Sequence, residues 1–162
     1  MVRDVQKSKV YRAERRAREV IGDKAIQDRI AAWAFVEKVE RDAWFRKHYG
    51  RWRFRISDGR GTRIARGGGG WLNLPRWSRT PVVMLHEIAH NVAPSDAWHD
   101  WRFCQVHLAL VRHFLGREAH DVLRAMYREC KVRYKRPRRI SAATRAALVE
   151  RLAGLRAANE EG

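Results

Sequence analysis

The chain is poor in the residues that staple small proteins. Its 162 residues include two cysteines, Cys104 and Cys130, and four prolines. Two cysteines exclude a disulfide framework and a four-cysteine zinc ribbon. Cys104, on the apolar side of its segment, reads as a buried free thiol. Long hydrophobic runs are missing too: no stretch approaches 18 apolar residues and no apolar segment follows the N-terminus. Neither a membrane span nor a secretory signal is therefore expected, and the expected compartment is the cytoplasm. No internal repeat is present, which sets solenoids and propellers aside. Acids are the last shortage. Against 35 Lys and Arg stand 18 Asp and Glu, giving a formal net charge of +17 and a pI near 11.2. That excess points to polyanions, nucleic acid first among them, as partners met through non-specific electrostatics.

What the chain does contain is Val82-Val83-Met84-Leu85-His86-Glu87-Ile88-Ala89-His90-Asn91, an H-E-x-x-H motif inside an apolar segment. Thr80-Pro81 reads as its helix start, with Thr80 as cap and Pro81 at the first helical position, where a missing N–H costs nothing. Histidines four apart share one face of a helix, so His86 and His90 can reach the same zinc ion. Glu87 sits beside the first ligand, where its carboxylate reaches a water on that ion without binding metal, as a general base must. A hydrolytic zinc takes three protein ligands and keeps one position open. After a turn at Pro94-Ser95 the helical pattern restarts, capped by Ser95 or Asp96, and carries His99, the expected third ligand. Glu118 and Glu129, on a helix expected over 117–131, are the alternatives for a two-His, one-Glu site. His107 lies about two turns, or roughly 12 Å, beyond His99 and reads as structural or exposed.

The remaining segments supply a scaffold. At this length one domain is expected, a metallohydrolase unit over 1–135 followed by a basic segment and a C-terminal helix over 136–162. A basic helix is predicted from Asp4 to Val20 and broken at Gly22-Asp23. An apolar stripe at helical spacing then runs from Ile26 to Tyr49, with Trp33, Phe35, Val36 and Trp44 as packing residues. Arg51-Trp52-Arg53-Phe54-Arg55-Ile56-Ser57 alternates apolar with basic and reads as a strand. Asp58-Gly59-Arg60-Gly61 supplies a turn, and Thr62 to Arg66 is expected to pair back as a hairpin. Its row of Arg51, Arg53, Arg55, Arg60, Arg63 and Arg66 forms either a nucleic-acid backbone patch or a solvated face.

Gly67 to Gly70 lacks the phosphate-loop pattern and reads as a flexible loop. Trp71-Leu72-Asn73-Leu74, limited by Pro75, reads as an edge strand able to pair with an extended peptide. Past the motif, a helix with Trp98, Phe103, Val106, Leu110, Val111 and Phe114 on its apolar side ends at Gly116. Between Lys131 and Arg139 lie six basic residues and no acid, an exposed break. Ser141 then caps a last helix through Ala157. The fold class is therefore α+β: N-terminal helices, a small and mainly antiparallel sheet with an edge strand before the motif helix, then further helices.

His86-Glu87-Ile88-Ala89-His90 followed by Trp98-His99-Asp100-Trp101-Arg102-Phe103 resembles the small zincin metallopeptidases of the SprT-like and WLM type. In those, a third histidine with a phenylalanine four residues on follows the H-E-x-x-H helix. The wider layout is similar to small phage and actinobacterial metallohydrolases. The resemblance implies that His86, His90 and His99 hold zinc and that Glu87 is the base in hydrolysis of a protein or peptide substrate. Asp100 either orients a ligand imidazole or is a surface acid. Tyr127, Tyr134 and the arginines are oxyanion donors by residue type alone. A second function class stays open, a basic DNA- or RNA-binding protein whose motif holds a structural zinc or none.

Overall fold

A computed structural model describes residues 4–137, 141, 146–147 and 149–151. Its elements are α1 (Lys7–Ile21), α2 (Arg29–Arg41), α3 (Ala43–Tyr49), β1 (Arg55–Ser57), β2 (Arg66–Gly68), β3 (Trp71–Asn73), a 3-10 turn (Arg76–Ser78), α4 (Pro81–Val92) and α5 (Trp101–Glu129). The class is α+β, helices first, then a three-stranded mixed sheet, then helices. The helix expected over 141–157 falls largely outside the described residues. Among the described residues no helix is long and apolar enough to cross a membrane.

Helix α1 ends where Gly22 takes φ 72° and returns its N–H to the Arg18 carbonyl, a left-handed cap that glycine adopts without a Cβ penalty. Its buried stripe is Val10, Ala13, Glu14 and Ala17, the i, i+3, i+4, i+7 set of one helix face. The two alanines let α1 lie close against α5 and α4, and they carry the acid Glu14 inward with them. The apolar stripe read from Ile26 to Tyr49 is two helices. Asp42, at φ −63° and ψ 131°, ends α2 and caps α3 by accepting the Phe45 N–H at 2.8 Å. Val36 and Phe45 are fully buried, with Trp33, Phe35 and Trp44 packed against them.

The sheet departs from the expected hairpin. Its order is β1-β3-β2: β1 pairs parallel with β3, β2 antiparallel with β3, and β1 and β2 do not pair. Only Arg55 to Ser57 of the alternating stretch pairs at all. Residues 58–65 form a loop fastened to the strands by Asn73, whose amide donates to the Thr62 hydroxyl and the Ile64 carbonyl, each at 2.9 Å. The hairpin instead joins β2 to β3 through Gly69-Gly70, at φ 58° and 80°. Two positive φ values in succession are what a tight primed turn demands. The glycine run is thus turn and strand, not a flexible loop. Strand β3, read as an edge, is the centre, and β2 is the edge nearer the motif helix.

Helix α4 starts as its sequence signals said: Thr80 accepts the Val83 N–H and Pro81 sits at the first turn. Nine of its residues are buried, so it runs through the core with β2 on one side and α1 and α5 on the others. Helix α5 starts later than expected. Its cap is Asp100, which accepts from the backbone of Arg102 and Phe103. Asp96 is instead held by Arg102, at 2.9 Å. Trp98, read as a helix-face residue, sits at φ 47° and is 57% exposed. Gly116, at φ 92° and ψ 176°, is non-helical and divides α5 into two helical segments, as the glycine in the sequence had suggested.

Candidate metal centre

His86 and His90 leave α4 one turn apart. His99 meets them from the loop just ahead of the α5 cap, not from within a helix. The three Nε2 atoms form a triangle with sides of 3.1, 3.2 and 3.3 Å. Three vertices of a tetrahedron with Zn–N bonds of about 2.0–2.1 Å lie roughly 3.3–3.4 Å apart, so the donor set matches that ion in type and size. The other ring nitrogens fix which atom points inward. His99 Nδ1 lies 2.5 Å from Asp4 Oδ2, and His86 Nδ1 lies 2.7 Å from Glu14 Oε2. The second contact is close but off the N–H axis, and neither atom has an aligned hydrogen-bond partner. The Asp4 carboxylate at His99 Nδ1 favours the tautomer that carries its proton outward and leaves Nε2 free for a ligand, and Glu14 stands close enough to His86 Nδ1 to favour the same form electrostatically.

Electrostatics keeps the imidazoles neutral. Burial lowers His86 well below the ordinary histidine value and takes His90 to about 2; it also lowers His99, against the opposing pull of Asp4. Neutral imidazole is the metal-ligating form. Phe103, fully buried in the first turn of α5, stacks on His90 with centroids 4.4 Å apart and sets its edge against His86 and His99, each at 4.9 Å. That contact is the physical content of the phenylalanine four residues after His99: one ring packs all three imidazoles.

Glu87 is 4% exposed. Burial first, and the nearby Glu14 second, raise its carboxyl to about 8, partly offset by a hydrogen bond from the Gly67 backbone. Gly67 has a further role in placing this group. A Cβ there would stand 1.9 Å from the Glu87 carbonyl oxygen, so only glycine lets β2 lie on the motif helix. Asn91 fastens the same junction, accepting from the Gly70 N–H at 2.7 Å and donating to the Trp71 and Glu87 carbonyls.

The site opens into a cleft of about 500 Å³. Its walls are the β2 edge from Arg66 to Gly69, Lys7 and Tyr11 of α1, and the loop through Pro94 and Trp98; Glu87, His90 and His99 line its base. The Tyr11 ring lies 5.4 Å from His86 and 5.1 Å from His99. Burial, followed by the charges of Glu87, Glu14 and Asp4, raises its phenol to about 12, so it stays a hydrogen-bond donor at neutral pH.

Other expected residues fall elsewhere. Glu129 pairs with Arg16 at 2.7 Å, and neither it nor Glu118 belongs to a ligand cluster among the described residues. Asp100 caps α5 and pairs with Arg102 at 2.7 Å, so it orients no imidazole. His107 is fully buried, with Nδ1 on the Tyr127 hydroxyl at 2.9 Å and Nε2 on the Val82 carbonyl at 3.3 Å. It groups with Glu14 and His86, but that trio is wholly buried and shuts out substrate. Tyr127 is spent on His107, and Tyr134 lines a groove on the far α5 face.

The hairpin expected to carry the basic row does not form, and all six of its arginines are exposed. Arg53 pairs with Glu40, Arg60 with Asp58, and Arg55 lies over the Trp71 ring, while Arg51, Arg63 and Arg66 are exposed. Sequence reading missed Asp4, Tyr11, Glu14, Gly67 and Asn91. Of these Glu14 left a trace, as an acid inside the Val10-Ala13-Ala17 stripe. Comparison of the chain with family models, with curated proteins and with solved structures returned no match.

Proposed function

We propose that the protein is a zinc-dependent metallohydrolase of the small zincin type, acting on peptide bonds. The observation that carries this reading is the Nε2 triangle of His86, His90 and His99 beside a buried Glu87, at the base of an open cleft. Zinc held by the three histidines supplies the Lewis acidity that polarises a scissile carbonyl and acidifies water. A cation in the histidine triangle would favour the carboxylate form of Glu87 against the burial that raises its pKa, and that carboxylate would take the proton of the attacking water and return it to the leaving amine. Asp4 and Glu14 hold the ligand imidazoles in orientation. Tyr11 donates its hydroxyl hydrogen to the oxygen that gains charge. The unpaired side of β2 offers an extended peptide a backbone register, the role the sequence had suggested for the Trp71 strand.

Glu87→Gln separates catalysis from binding. Removing a general base costs about 10²–10⁴-fold in rate, so hydrolysis of unfolded casein by the zinc-loaded protein drops by that factor while bound zinc stays level. Full activity in Glu87→Gln would remove Glu87 from the mechanism and with it the peptidase reading.

A further inference from the structure

A second groove of about 580 Å³ shares Tyr11, Ile64, Ala65 and Glu87 with the cleft and leaves it on the His86 side. One wall is the α1 face carrying Ser8, Tyr11, Arg12, Arg15 and Arg18, with the acid Glu14 buried beneath them, residues three and four apart as one helix face requires. The opposite wall holds Arg63 and Trp77, and the Trp77 indole donates to the Arg63 carbonyl at 3.2 Å. Arg18 is neutralised by Asp23 at 3.3 Å. Arg12, Arg15 and Arg63 have no carboxylate partner among the described residues. Trp77 stands 51% and Ile64 55% exposed beside them.

We infer that this groove selects substrates with aspartate or glutamate side chains next to the bond in the cleft. The inference rests on the peptidase reading and names its substrate class. While the groove's own acids, Glu14 and Glu87, are buried at 7% and 4% exposure, three exposed guanidinium groups without a carboxylate partner among the described residues give a negative side chain partners on both walls. Trp77 and Ile64 cover its methylene stem. At about 580 Å³ the groove has room for several side chains of an extended peptide.

Binding tests this without any turnover. The probes are a fluorescein-labelled, alanine-rich ten-residue peptide with two glutamates, its glutamine twin, and a single-stranded DNA twelve-mer, titrated by anisotropy into Glu87→Gln protein with and without zinc. The acidic peptide binds about tenfold tighter than its twin, the worth of a few partly exposed ion pairs. Arg12→Ala/Arg15→Ala/Arg63→Ala brings the ratio near one, whereas Arg112→Ala/Arg124→Ala/Arg128→Ala on the α5 face, with the same charge change, leaves it intact. Equal loss in both triple variants would reduce the effect to net charge and overturn the inference. So would a ratio near one in the starting protein, or groove-dependent binding of the DNA alone. Cleavage by the unsubstituted chain keeps the two claims apart. Selective binding without cleavage of either peptide contradicts the peptidase reading only, and equal cleavage of both contradicts the groove only.

Discussion

At the scale of single residues, the site depends on groups that no local pattern pairs. His86, Glu87 and His90 were legible because helical geometry fixes their relation over four residues, and His99 because one more ligand was wanted shortly downstream. Asp4 and Glu14 were not, because α1 meets α4 only in the folded chain. Asp4 hydrogen-bonds the outer nitrogen of His99 and the Glu14 carboxylate stands 2.7 Å from that of His86, positions from which a carboxylate can orient a ligand ring and raise its basicity. Asp4→Asn and Glu14→Gln are each expected to weaken zinc binding about 10–100-fold, with little change in helix content, in competition titrations against a chromophoric chelator. Unchanged affinity in both would mean that the two acids serve packing and not the ligands.

At the scale of elements, the caps at Thr80 and Gly22 marked α4 and α1, whereas the sheet was misread. Strands of three residues carry too little alternation to fix partners, and pairing is decided by what packs on each face. Here the decisive contact is Gly67 on the backbone of Glu87, which makes the glycine run part of the site. Two alanine substitutions in that run should therefore differ sharply. Gly67→Ala drives a methyl group into the Glu87 carbonyl and is expected to cost about 3 kcal/mol or more. Gly69→Ala meets nothing within 4 Å and loses only the positive-φ preference, about 1–2 kcal/mol. Urea unfolding of the two variants ranks them, and equal costs would contradict the β2–α4 junction. The start of α5 was misplaced because Ser95, Asp96 and Asp100 are all able caps by residue type, and the sequence does not show that Asp100 is the one that accepts the Arg102 and Phe103 N–H groups.

At the scale of the whole molecule, helix content, order and core were readable from periodicity, and the α+β class follows from them. The strand pairing expected beneath the arginine row was not, since β1 pairs with β3 and not with the segment that follows it. Net charge survives that correction, since +17 does not depend on pairing. We expect retention on immobilised DNA at about 0.05 M salt and release well before roughly 0.5 M, the signature of counterion release. Retention that ignores salt would point instead to a specific interface. The central claim concerns the histidine triangle, and elemental analysis of untagged protein after reconstitution and desalting reads it most directly. One zinc per chain is expected in the unsubstituted protein and a small fraction of that in His99→Ala, with the variant still folded by circular dichroism. A zinc-free chain, or an equal zinc content in His99→Ala, would contradict the three-histidine centre.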